Sequence, residues 1–200
     1  LIKAKKSLGQ NFLIDKNILN KIVNIIDIEN KFILEIGPGT GNLTSYILKK
    51  KPKKFFVIEK DNKLSINLKN KFKDKITIIN EDILKIDETN LLKDKVTVFG
   101  NLPYNISTEI LSKWITNLKD TFWFECMVLM FQKEVADRII AEFNTSNYGR
   151  LSIISNWKLN IKKIFDIKPG AFTPKPQIDS SLLLFYPKKN FVRIKDPENY

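Results

Sequence analysis

The apolar residues of this chain fall in short blocks whose period switches between helix and strand. Over residues 16–26 the apolar positions Ile18, Leu19, Ile22, Val23 and Ile26 keep helical spacing, which predicts an amphipathic helix. Residues 32–36 then form a short, mostly apolar strand run that ends in Gly37-Pro38-Gly39-Thr40-Gly41. Beyond that turn the two patterns alternate. Strands are expected over 55–58, 76–79, 96–99 and 126–131, and helices over 42–50, 62–72, 108–118 and 134–143. The strand runs are β-branched or aromatic and do not alternate with polar residues, as parallel strands covered on both faces should read. The pattern predicts a doubly wound, Rossmann-like α/β sheet. Near the end, 161–167 and 181–186 read as two strands joined by the Pro-punctuated segment 168–176, an antiparallel pair at the edge of an otherwise mostly parallel sheet. One domain is expected over 1–187, with the chain turning polar after Pro187.

Composition narrows the chemistry. The chain has 200 residues, no histidine and a single cysteine, Cys126. An imidazole base, a His-ligated metal, a cysteine zinc cluster and an internal disulfide are therefore all excluded, and no metal site is expected. No apolar run reaches the roughly 20 residues of a membrane span, and the chain opens without a signal-peptide pattern, so it reads as cytoplasmic. The net charge is +12, from 34 basic and 22 acidic residues. Such a surplus suits a polyanionic partner, because lysines near phosphates release condensed counterions. A chain rich in Lys, Asn and Ile also arises from A+T-rich coding, so charge alone does not establish nucleic-acid binding.

The glycine-rich turn after the first strand of the sheet opens a helix, where glycines permit a tight turn and let the backbone approach a ligand closely. The spacing does not complete the dinucleotide pattern, because Thr44 stands where its third glycine belongs. Glu59 ends the next strand, roughly twenty residues past the glycines, where a carboxylate can accept both ribose hydroxyls of an adenosyl group. Asp82 and Ile83 follow the third strand; Asp82 is placed for an adenine amine and Ile83 for the ring. Each acid taken singly is an ordinary solvated strand end. Their joint placement at the carboxyl edge of successive strands favours an adenosyl ligand, and without a P-loop lysine S-adenosylmethionine fits better than a nucleotide.

The fourth strand leads into Asn101-Leu102-Pro103-Tyr104. An exocyclic adenine amine is a poor nucleophile, since its lone pair is delocalised into the ring. Two acceptors, the Asn101 side-chain oxygen and the Leu102 carbonyl, can take its two hydrogens, draw the nitrogen towards tetrahedral geometry and stabilise the charge that develops on it. Pro103 stiffens the turn, and Tyr104 offers a ring for stacking on a base that is single-stranded or turned out of its helix. No general base is needed, which suits a chain without histidine.

Asn101 to Tyr104 resembles motif IV of adenine-N6 methyltransferases. The surrounding sequence resembles the bacterial small-subunit rRNA adenine dimethyltransferase (KsgA, kasugamycin-resistance) family. The resemblance rests on Leu8-Gly9-Gln10-Asn11-Phe12-Leu13, Glu35 to Thr44, Asn80-Glu81-Asp82-Ile83, Asn101 to Ser107, Met127 to Ile139, Tyr148-Gly149-Arg150-Leu151-Ser152 and Phe172-Thr173-Pro174-Lys175-Pro176, in order along nearly the whole chain. It implies a class I methyltransferase domain in which Asn11 and Leu13 contact S-adenosylmethionine from the N-terminal segment. Gly37, Gly39, Glu59, Asp82, Ile83 and Asn101 line the rest of that pocket. Asn101 to Tyr104 hold the target amine, and Phe172 packs on the target base opposite Tyr104, although an aromatic in a Pro-rich loop reads, by itself, as a hydrophobic plug. It implies dimethylation of two adjacent adenosines near the 3′ end of small-subunit rRNA by a monomer acting on an immature small ribosomal subunit. The family carries a small helical C-terminal domain after the region of Pro187, so residues 188–200 are expected to be its start. The alternatives are the large-subunit rRNA methyltransferases of macrolide resistance, a non-catalytic ribosome-assembly or transcription factor on the same fold, and a DNA adenine methyltransferase. Gln132 to Val135 and Tyr148 to Ser152 look more like the small-subunit enzymes; an intact Asn101 to Tyr104 argues for catalysis. DNA enzymes more often carry Pro where Leu102 stands.

Overall fold

A computed structural model describes residues 9–118 and 121–192 of the chain. The strands are β1 (Phe12–Leu13), β2 (Phe32–Ile36), β3 (Lys54–Ile58), β4 (Thr77–Ile79), β5 (Val96–Asn101), β6 (Phe124–Gln132), β7 (Leu159–Ile167), β8 (Phe172–Thr173) and β9 (Ser180–Pro187). The helices are α1 (Lys16–Val23), α2 (Asn42–Lys49), α3 (Asn62–Phe72), α4 (Glu88–Leu91), α5 (Ser107–Asn117), α6 (Lys133–Ile139) and α7 (Arg150–Lys158). Asp15 and Asp61 start α1 and α3 by accepting backbone N–H groups of the first turn, the usual solution for donors that have no partner inside a helix.

A seven-stranded sheet has the order β4-β3-β2-β5-β6-β9-β7. β4, β3, β2, β5 and β6 run parallel, while β9 runs against both of its neighbours. The antiparallel pairing expected near the sheet edge is thus present, with the reversed strand β9 one place in from the edge. Successive residues of β6 divide between two apolar clusters: Met127, Leu129 and Phe131 pack with α5, α6 and α7, whereas Val128 and Met130 pack with α1, α2 and α3. Period-two alternation sends them to opposite faces, so both faces of the sheet are dry, and the strand runs read as continuously apolar for that reason. Strand order reverses between β2 and β5, where an open α/β sheet forms a crevice at its carboxyl edge.

Several boundaries differ from the sequence-based expectations. The first helix ends at Val23 rather than 26, and α6 ends at Ile139 rather than 143, leaving Phe143 on an exposed loop. Helix α7 was not expected: its buried residues Leu151, Ser152, Ser155 and Lys158 include three polar ones, so no apolar stripe marks it. The two-stranded sheet formed by β1 and β8 is likewise too short to carry a period. The expected start of a helical domain over 188–200 lies largely outside the described residues. Those of its residues that are described turn back on α7, where Trp157 Nε1 donates to the Val192 carbonyl at 2.5 Å.

Candidate active site

At the switch point, where such sheets hold their ligands, the structure opens a cleft of about 1180 Å³, counting its open mouth. Asn11, Leu13, Gly37, Gly39, Glu59, Asp82, Ile83, Asn101, Leu102, Pro103 and Tyr104 all line it. Five chain segments, four at the carboxyl edge of the sheet and one at the N-terminal strand β1, therefore converge on one cleft.

The glycine turn is tight for an identifiable reason. Gly39 has φ +58°, and a Cβ there would come within 2.7 Å of the Phe12 ring of β1. Its N–H donates to Glu59 Oε2 at 3.1 Å, and the N–H of Asp61 donates to Oε1 at 2.9 Å. Glu59 is only 6% exposed; burial raises its pKa, opposed by these two backbone donors. Each oxygen keeps a second lone pair, so the carboxylate can still accept a pair of hydroxyls. Asn80 secures the same strand end, donating Nδ2 to the Glu59 carbonyl at 2.7 Å.

Asp82 forms the opposite wall. Its Oδ2 accepts from Lys60 Nζ at 2.7 Å, and its Oδ1 from the Leu84 N–H at 3.1 Å. The Lys60 ammonium holds its carboxyl below the ordinary carboxylate range. The 3-10 turn that follows, Ile83–Lys85, is gripped from behind by α5. Lys113 Nζ donates to the Ile83 carbonyl at 2.8 Å and to the Ile86 carbonyl, and pairs with Glu88 Oε1 at 3.0 Å. The same Glu88 oxygen accepts from Trp114 Nε1 at 2.7 Å. Nothing in the spacing of these residues marks this clamp, because it joins positions that neighbour only in the folded chain.

Asn101 ends β5. Its Nδ2 donates to the Asn11 carbonyl at 2.7 Å, which fixes the amide's orientation and leaves Oδ1 without a donor among the described residues. Asn42, unsuspected from sequence, holds the same segment by donating Nδ2 to the Leu13 carbonyl at 2.8 Å. The Leu102 side chain is buried in the core, anchoring the backbone that presents its carbonyl. The Tyr104 hydroxyl meets Ser180 Oγ at 2.5 Å; burial raises its pKa, so the ring stays a neutral phenol.

Glu35, also on the cleft wall, is buried, and burial pushes its carboxyl up to about 8, with the neighbouring Glu59 adding to the shift and the Thr44 hydroxyl opposing it. Thr44 Oγ1 donates to it at 2.7 Å. The residue that interrupts the dinucleotide pattern thus has a task of its own.

Phe172 does not line the cleft. It is 3% exposed, pairs with Leu13 across the β1–β8 sheet and packs with the α1–α3 side of the core. In this arrangement its ring packs beneath β1, within the apolar cluster on that side of the sheet.

Among the described residues no helix is long and apolar enough to cross a membrane. The family model for ribosomal RNA adenine dimethylase matches residues 1–200. The chain is 70% identical over 198 residues to the ribosomal RNA small subunit methyltransferase A of Pelagibacter ubique, covering 99% of this chain and 76% of that protein. It also resembles the crystal structure of a dimethyladenosine transferase from Plasmodium falciparum, at TM-score 0.78 and 32% identity, covering 89% of this chain and 64% of that one. The 23S rRNA methyltransferase ErmE shares the fold at TM-score 0.74 but only 22% identity, covering 92% and 72% of the two chains. With this match along its whole length, the chain belongs to the ribosomal RNA adenine dimethylase family.

Proposed function

We propose that the chain transfers methyl groups from S-adenosylmethionine to the N6 amines of two adjacent adenosines near the 3′ end of small-subunit rRNA, on an immature small ribosomal subunit and as a cytoplasmic monomer. The observation that carries the reading is the Asn101 side chain: Nδ2 is committed to the Asn11 carbonyl, so Oδ1 is available as a pure acceptor in the cleft. The donor set fits the cofactor. A turn whose Gly37 and Gly39 take positive φ presents bare backbone to the ligand, Glu59 is placed for the ribose hydroxyls, and Asp82 with Ile83 for the adenine.

S-adenosylmethionine supplies a methyl carbon activated by a positively charged sulfur. The residues of the chain prepare the other reactant. Asn101 Oδ1 and the Leu102 carbonyl accept the two amine hydrogens, which bends the nitrogen out of conjugation and exposes its lone pair. As the nitrogen becomes positive those acceptors stabilise it, and one proton then leaves to solvent. Tyr104, held by Ser180, stacks on the base. A first methylation leaves one N–H, so the second transfer uses a single acceptor.

Incubating the protein with labelled cofactor and immature small subunits, then mapping dimethyladenosine by mass spectrometry, tests the reading. Two neighbouring modified adenosines near the 3′ end are expected. Label in large-subunit rRNA, or cofactor binding without transfer, overturns it.

A further inference from the structure

The loop between α6 and α7 presents two aromatic rings to water. Phe143 is 74% exposed and Tyr148 39%, and their rings meet edge to face with centroids 5.6 Å apart. A single exposed aromatic means little. These two sit on a built turn, however: the Thr145 N–H and hydroxyl donate to the Glu142 carbonyl at 3.2 and 2.7 Å, and the Tyr148 N–H donates to the Thr145 carbonyl at 3.0 Å. Asn144 takes φ +65° to close it.

The charge around the rings is unusual for this chain. Of its 34 basic residues only Arg138, Arg150 and Arg193 are arginines, and Arg138 and Arg150 flank this loop, both exposed. Among the described residues neither guanidinium has an ion pair. Asp137, next to Arg138, is occupied by Lys133 and Lys163; Glu134 and Glu142 are the other acids close in sequence and pair with neither arginine. A guanidinium stacks on flat rings and forks onto phosphate oxygens, which an ammonium does less well.

The loop also stands on the useful side of the molecule. Helices α5 and α7 pack side by side, and Lys158 at the end of α7 donates to the Ile115 carbonyl at 3.0 Å and to that of Leu118, at the end of α5. The two helices therefore end together and run in the same direction. Since α5 begins just past the catalytic segment, the start of α7, with Tyr148 and Arg150, lies towards the cleft edge of the sheet.

We infer that this loop is a second RNA-holding site. An unstacked base of the substrate strand, distinct from the target adenosine, lies on the Phe143–Tyr148 pair while its phosphates meet Arg138 and Arg150. The inference rests on the proposed rRNA substrate and adds a contact outside the cleft. Stacking of a base on an aromatic ring tolerates any sequence and is strong enough for a base-dependent grip.

The test measures binding of a short fluorescein-labelled oligoadenylate, and of the same strand carrying abasic sites, to the 200-residue chain by anisotropy. The double variant Phe143→Ala/Tyr148→Ala should weaken oligoadenylate binding on the order of ten-fold and leave the abasic strand unchanged. Phe143→Trp/Tyr148→Phe should restore affinity. Arg150→Gln should weaken both strands equally and flatten the salt dependence. In methyl transfer to immature subunits the double alanine variant should raise KM and spare kcat. Equal affinity for oligoadenylate, or equal loss for both strands, overturns the inference, and equal affinity with a lowered Tm returns the rings to a purely structural role. If the wild-type chain shows base-dependent binding through these residues but methylates no small-subunit rRNA, the proposed function fails while the binding site stands.

Discussion

Lys113→Met probes how the Asp82–Ile83 wall of the cleft is kept in register with Asn101–Tyr104. The ammonium reaches from α5 to the turn after Asp82, bonds the Ile83 and Ile86 carbonyls and pairs with Glu88 at 3.0 Å. The Lys113 and Glu88 side chains are only 18% and 6% exposed, so the substitution leaves a carboxylate in the interior with Trp114 Nε1 as its remaining partner. Breaking a buried pair from one side costs about 3–5 kcal/mol. Residual solvent access to Lys113 favours the lower end. At about 2–4 °C per kcal/mol for a chain of this size, ~3 kcal/mol is a fall in Tm of roughly 6–12 °C. Glu88→Gln keeps an acceptor for Trp114, so the double variant Lys113→Met/Glu88→Gln should recover most of that loss. Scanning calorimetry of the four proteins closes the cycle. Titration calorimetry should show weaker S-adenosylmethionine binding by Lys113→Met, because Ile83 is the wall that shifts. Strictly additive Tm changes would refute the coupling, and unchanged cofactor affinity would reduce the clamp to scaffolding.

Three further predictions concern the cleft and the core beneath it. Asn101→Ala should abolish methyl transfer while the cofactor dissociation constant moves by only a few-fold; near-wild-type turnover with immature subunits removes the amide from the mechanism. Glu35→Gln should change the pH profile of stability. The native carboxyl titrates near 8 and its unfolded counterpart near 4.5, so the unfolded state alone loses the proton between those values and wild-type stability falls across that window. Urea unfolding at pH 5 and pH 8 should show the variant gaining on wild type as pH rises, and parallel curves would contradict the assignment. Phe172→Ala separates two roles: a core ring lost beneath β1 costs about 3–5 kcal/mol of stability, whereas a base-stacking ring costs turnover at saturating cofactor with little change in Tm.

Much of this site was legible because its chemistry sits where strands end. Glu59, Asp82 and Asn101 each follow an apolar run with a clear boundary, and the glycine turn marks the crevice in the sequence itself. What stayed hidden depends on contacts between distant positions. Thr44 and Glu35 are nine residues apart and on different elements, and nothing in either one's neighbourhood announces a hydrogen bond. Lys113 and Glu88 give no local signal, and α7 hides its helical period behind buried serines and a buried lysine. Phe172 shows the reverse limit. Its motif speaks for the target base, the β1–β8 pairing buries the ring beside Leu13, and no pattern in sequence reports that two-residue ladder.

The hydrogen bond from Asn101 Nδ2 to the Asn11 carbonyl gives the cleft a form of proofreading of its own assembly. The amide needs an external oxygen to decide which of its two ends faces the cleft, and that oxygen belongs to the N-terminal segment that also lines the cleft. When the segment is displaced, the amide is free to turn and offer a donor where an acceptor is required. One backbone oxygen thus ties the lining of the cleft by the N-terminal segment to the polarity of the Asn101 amide.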